Sequence, residues 1–182
     1  MAKHPEPSGE AITILKVSAY EHLGMAVSSD AIDEDGKLDP IYSAAGDNRS
    51  PALAWSGIAE AETYALVVED PDAPREAPFI HWMIWNIPGR LVELPAGVPL
   101  GKPEGELAGA VQGKNQIGQH GWTGMKPPPG GGLHHYHFQL FALNRSLDLK
   151  PDAALPVLVN ELKSATIGKG EVVGTFETPE KH

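Results

Sequence analysis

Tyr64-Ala-Leu-Val-Val-Glu-Asp-Pro-Asp-Ala-Pro-Arg-Glu-Ala-Pro-Phe-Ile-His-Trp-Met-Ile-Trp-Asn-Ile, residues 64–87, sets two runs of β-formers on either side of a proline-rich break. Each run reads as a strand closed by proline. Neither alternates cleanly between apolar and polar, so each is expected to be buried on both faces. The break carries Pro71, Pro74 and Pro78, which remove amide donors and fix the backbone. It therefore presents the carboxylates of Asp70 and Asp72 at a sheet end, a few residues before His81 opens the next strand. A polar ring at the start of a buried strand needs a partner.

Outward from this pair, His134 to Leu143 (HHYHFQLFAL) does alternate. His134, Tyr136, Phe138, Leu140 and Ala142 share the apolar face, and His135, His137, Gln139 and Phe141 the other. Ile12 to Ser18 and Glu171 to Glu177 read as a first and a last strand, and Asp152 to Ala165 as a helix with Asp152 as its N-cap. The stretch from Pro88 to Gly132 holds most of the glycines and prolines and little periodicity, and a segment of that length in a compact domain is expected to be functional. The balance is mainly β, with one or two helices. Residues 1–10 read as a mobile leader and 11–182 as a single domain.

Composition narrows the function. The 182 residues include 24 acidic and 14 basic ones, a net charge of −10 that repels phosphate backbones and anionic bilayers. Nucleic acid and stable membrane insertion are excluded as expectations. The absence of cysteine removes disulfides, thiolate nucleophiles and Cys-ligated zinc. The run from Ala11 to Val17 is too short for a signal or a membrane span, so a cytoplasmic protein is expected.

The chemistry gathers at strand ends. His134 faces the apolar side immediately after Gly124-Met-Lys-Pro-Pro-Pro-Gly-Gly-Gly-Leu, and it is joined there by Tyr136. Imidazole and phenol donors with glycine-exposed amides suit the oxygens of an anion, while Asp70 and Asp72 can orient the rings or accept an ammonium group. The alternative is a His-based, metal-dependent enzyme of cupin-like type, since His135 and His137 lie on one strand face; the next acidic residue, however, is Asp148. Serine hydrolysis lacks a G-x-S-x-G motif, and Gly130 to Gly132 lack the Lys-Ser/Thr of a phosphate loop.

At these residues the chain resembles the phosphatidylethanolamine-binding proteins, or Raf kinase inhibitor-like proteins, in their bacterial and archaeal branch. The resemblance runs through Asn48-Arg-Ser-Pro-Ala-Leu-Ala-Trp, Asp70-Pro-Asp-Ala-Pro, His81-Trp-Met-Ile-Trp-Asn-Ile-Pro, the glycines from Gly118 to Gly124, and 127–143. It implies a β-sandwich of antiparallel sheets with short helices and a small anion pocket at one end. Asp70, Asp72, His81, His134 and Tyr136 match the pocket residues, with Gly124 and Lys126 in its wall. It further implies no catalytic cycle, no cofactor and no metal. The ligand implied is a phosphate-like anion or phosphorylethanolamine head group, held weakly and more tightly below about pH 6.5 as the imidazoles gain protons. A kinase, a protease or a second copy of the chain is the protein partner implied. Small anions or a protein are favoured over bilayer docking, because lipid binding needs an apolar, positively biased entrance. Three positions depart from the family pattern: Met125-Lys126, His135 where Arg is usual, and Trp122 for a frequent Tyr. Lys126 has either the pocket mouth or the solvent open to it. The crowded prolines also predict that Ala73-Pro74 or Ala77-Pro78 is cis, as in the resembling family.

Overall fold

The computed structural model describes residues 11–18 and 23–180, and the leader expected at 1–10 lies outside them. In chain order the strands are β1 (Val27–Ser28), β2 (Leu53–Trp55), β3 (Thr63–Asp70), β4 (Phe79–Pro88), β5 (Glu93–Leu94), β6 (Val111–Gln112), β7 (His134–Leu143) and β8 (Thr166–Phe176). The helices are α1 (Thr13–Lys16) and α2 (Leu155–Ala165). Five strands form one antiparallel sheet in the order β6-β4-β3-β7-β8, and β1-β2-β5 form a second.

The larger sheet is buried on both sides, as the unbroken apolar runs require. On one face Tyr64, Leu66, Val68, Trp82, Ile84, Phe138 and Leu140 pack against Leu53, Trp55 and Leu94 of the smaller sheet. On the other, Ala65, Val67, Met83, Trp85 and Phe141 pack against Ile14 of α1 and Leu158, Val159 and Leu162 of α2. Burying a side chain of this size stabilises by about 1.5–3 kcal/mol. Since both faces of β3 are apolar, a slip of one residue would cost little in burial alone. The polar residues at its end, Glu69 and Asp70, each find partners on only one side and so define the register.

Four expectations are corrected. Ile12 to Ser18 is not a strand: it contains α1, whose amides at Thr13 and Ile14 donate to Glu69 Oε1 (2.8 Å) and Gln139 Oε1 (2.7 Å). Those side chains take the place of a strand partner, and Lys169 Nζ closes the other end on the carbonyls of Ile14 and Val17. The second helix begins at Leu155 with Pro156 in its first turn and without a side-chain cap, because Asp152 lies beside Lys114 at 3.3 Å instead. The last strand starts at Thr166 rather than Glu171. Its glycines admit close neighbours: a Cβ on Gly170 would stand 2.1 Å from the Met25 carbonyl oxygen. Finally, the described chain contains no cis peptide bond. The break between β3 and β4 reverses through an Asx turn, with the Asp72 amide donating to Asp70 Oδ1 at 2.8 Å and the Arg75 amide to the Ala73 carbonyl at 2.7 Å. Residues 71–78 give that reversal room with every proline trans.

The segment from Pro88 to Gly132 is ordered by β5, β6 and a 3-10 turn at Gly105–Leu107, and its last part lies over the sheet end where β3 stops and β7 starts.

Candidate anion site at the sheet end

Asp70, His134 and Tyr136 continue the sandwich face of their strands one step beyond the apolar core. Asp70 follows Tyr64, Leu66 and Val68 on β3, and His134 and Tyr136 precede Phe138 and Leu140 on β7. His81 joins them by a different device. Val68 pairs with Trp82 and Glu69 with Ile80, which leaves His81 as the extra residue of a β-bulge. Strict alternation would send it to the helix side with Met83. The bulge turns it to the sandwich side, where its ring lies 5.0 Å from Tyr136 edge-on, 4.6 Å from Phe79 and 6.0 Å from Trp122.

These residues line a cavity of about 560 Å³. Ala73, Pro74, Arg75 and Phe79 wall it from the β3–β4 connection, Ile117 from the loop after β6, and Asn48, Thr123 and Gly124 from the far side. Gly124 is required by contact: a Cβ there would meet the Tyr42 carbonyl oxygen at 2.4 Å. Its amide donates to Asn48 Oδ1 at 2.7 Å, so the two walls are tied together. Asn48 holds a left-handed φ of 52° to make that contact.

The two imidazoles are held in different ways. His134 Nδ1 donates to Asp70 Oδ2 at 2.7 Å in a fully buried pair, and its buried Nε2 has no hydrogen-bond partner among the described residues. Burial lowers its pKa, but the Asp70 hydrogen bond and the charges of Asp70 and Asp72 outweigh that, and the net direction is upward. His81 Nδ1 donates to the Thr123 carbonyl at 2.7 Å. Burial dominates there and pushes the ring down to about 4, against the opposing pull of Thr123 and Asp70. The Tyr136 hydroxyl is raised above its ordinary value, first by burial and then by Asp70 and Asp72, and keeps its proton. The proton that strengthens anion binding at lower pH is thus favoured on His134 and opposed by burial on His81.

Of the residues singled out from sequence, Asp70, His81, Gly124, Lys126, His134 and Tyr136 line the cavity. Asp72 does not. It turns outward and accepts from both the amide and the ring of His135, at 2.7 and 2.8 Å, and acts on the cavity through its charge. Lys126 stands exposed on the rim, while Met125 beside it is buried in the core. Trp122 backs the site, its indole donating to the Tyr42 carbonyl at 3.3 Å and stacking on Phe138. Sequence reading missed Arg75, an exposed second cation on the rim, and Ile117. Arg75 follows directly on Asp70-Pro-Asp-Ala-Pro, which was the signal that could have found it. With Pro74, Ile117, Pro127 and Pro128 beside the two cations, the entrance is locally apolar and positive despite the acidic whole. The cupin-like alternative gains no support: His135 is bound to Asp72 and His137 to Glu171, and no group of three metal-ligating residues occurs among the described residues.

Known proteins are similar to this chain in sequence and in fold. The family model described as phosphatidylethanolamine-binding protein matches residues 28–177. A protein of Pyrococcus horikoshii, UPF0098 protein PH1269, is 37% identical over 158 residues, covering 86% of this chain and 78% of its own. In Mycobacterium tuberculosis a relative provisionally named lipoprotein LppC is 33% identical over 178 residues, 97% of this chain and 77% of that protein. The crystal structure of Escherichia coli YbcL, described as a new member of the mammalian PEBP family, superposes with a TM-score of 0.76 at 30% identity, covering 84% of this chain and 98% of that one. On the match over 28–177 and on this likeness of fold, the chain belongs to the phosphatidylethanolamine-binding protein family.

Proposed function

We propose that the chain is a non-enzymatic binding protein whose cavity receives a small phosphate-like anion, either free or as the end group of a larger ligand. The observation that carries this reading is the buried, unpartnered Nε2 of His134 in a cavity it lines with the protonated Tyr136 hydroxyl. An oxyanion supplies the acceptor that a cationic His134 requires, and the Arg75 and Lys126 side chains on the rim add long-range attraction. A few charge-assisted hydrogen bonds correspond to a Kd in the range of about 0.1 to 1 mM.

A protein partner presenting a phosphorylated or acidic segment, such as a kinase or a protease, fits the same rim and belongs to the same proposal. A cytoplasmic setting is also part of it, and the lipoprotein name of the mycobacterial relative makes fractionation of cells expressing this chain the direct check. Among the described residues no helix is long and apolar enough to cross a membrane.

Calorimetry with inorganic phosphate and phosphorylethanolamine tests the ligand. Binding is expected for wild type, with a loss of about fivefold or more in Tyr136→Phe, which keeps the ring and removes one donor. Absence of binding at both pH 5.5 and pH 8 overturns the reading. For a protein partner, capture by wild type must exceed capture by His81→Ala.

A further inference from the structure

The two imidazoles of the cavity present opposite faces to a ligand. At His81, Nδ1 lies 2.7 Å from the Thr123 carbonyl oxygen, which can only accept. The single proton of the neutral ring is therefore fixed on Nδ1, and Nε2 carries a lone pair. Among the described residues no donor is bonded to that nitrogen; Tyr136, the nearest hydroxyl-bearing ring, meets His81 edge-on at 5.0 Å between centroids. Making Nε2 a donor would require a cationic ring. Asp70 from β3 favours that charge, whereas His134 from β7 opposes it, as does burial among Phe79, Trp122 and Tyr136, and burial wins. Arg75 and Lys126 are the other charged side chains that line the cavity, both exposed on its rim.

A fully deprotonated oxyanion entering this site finds donors at Tyr136 and at the Asp70-held His134, and a lone pair at His81. One of its oxygens is then left facing an acceptor. A ligand that carries its own hydroxyl donates it to Nε2 and leaves neither group unpaired. Resting on the anion-binding reading above, we propose that the cavity selects anions bearing a proton, phosphomonoesters and inorganic phosphate, over sulfate and over phosphodiesters. The chemistry assigned is that of a singly protonated phosphate end group, and the diester head group of an intact phospholipid falls on the disfavoured side.

Sulfate has the shape of phosphate but no proton near neutrality, whereas phosphomonoesters lose theirs through a pKa of about 6. Wild-type protein is titrated calorimetrically with phosphorylethanolamine, sulfate and glycerophosphoethanolamine, each at about pH 5.5 and about pH 8. The monoester is expected to bind at least about tenfold more tightly than either competitor at the lower pH, the scale of an unpaired buried acceptor. That preference shrinks at the higher pH, where the monoester has lost its proton. Deprotonation of His134 weakens monoester and sulfate alike, so their ratio isolates the ligand's proton. His81→Gln offers an amide N–H at the same place and is expected to raise sulfate affinity toward that of the monoester, with thermal unfolding as the check on its fold; the wild-type ratios stand without it. Equal affinities, or a ratio unchanged between the two pH values, overturn this inference and leave the anion site standing. Failure of the monoester and sulfate alike to bind overturns both.

Discussion

His81 and His134 are the same residue type at the same sheet end, yet their neighbours move them in opposite directions. For His81 the folded-state value of about 4 lies below the ordinary 6.5. Between those values the unfolded chain binds a proton that the folded chain refuses, so stability falls as pH drops from about 6.5 to about 4, by about 3 kcal/mol in all. His134 works the other way: its raised value adds stability at low pH, which is lost as pH rises through that value. Urea unfolding of wild type and His81→Gln across this range checks the first sign; the variant should show a shallower acid loss, and parallel curves would place the burden elsewhere. Asp70→Asn checks the second. With the carboxylate gone, burial remains as the main influence on His134, and its imidazole titration by NMR should move down from the wild-type value.

Elements explain what was readable in advance and what was not. The two strands 64–70 and 80–87 and the alternation of β7 were legible, because burial on two faces or one leaves a direct mark on residue type. The placement of Asp70 follows from its position at the proline-closed end of β3, and that of His134 and Tyr136 from that alternation. His81 does not follow from it: its direction depends on a bulge, and nothing in Ile80-His-Trp announces which residue the ladder will skip. The segment 12–18 is apolar enough for a strand, but its helix depends on Glu69 and Gln139, which lie 56 and 125 residues further along the chain. Asp72 looked equivalent to Asp70 and was captured by His135. The Gly124 wall belongs to the same scale. Gly124→Ala forces a Cβ against the backbone of 42–44, where no flexible side chain can yield. It is expected to cost about 1–3 kcal/mol in denaturant unfolding and to weaken phosphate binding by separating Gly124 from Asn48. Wild-type stability in this variant would show that the two walls have slack.

Across the whole molecule the acidic excess and the cationic rim oppose each other, and distance decides between them. The net charge of −10 is spread over the chain and repels an approaching anion, whereas Lys126 and Arg75 stand at the entrance itself. At physiological ionic strength fields decay over about 8 Å, so most carboxylates are screened from the cavity and the rim is not. Lys126 is exposed, and its attraction for a bound anion through water amounts to about 1 kcal/mol, a few-fold in affinity. Lys126→Gly is therefore expected to weaken phosphate binding about threefold to tenfold at low salt while leaving the unfolding midpoint in place. Added salt separates rim from bulk: in wild type it screens the nearby attraction and affinity falls, whereas in the variant the remaining repulsion is screened as well and the dependence flattens. Calorimetry at two salt concentrations reads both effects. Equal affinity and an equal salt slope in the two proteins would mean that Lys126 serves only as a surface charge, and would leave Arg75 as the cation that draws the anion in.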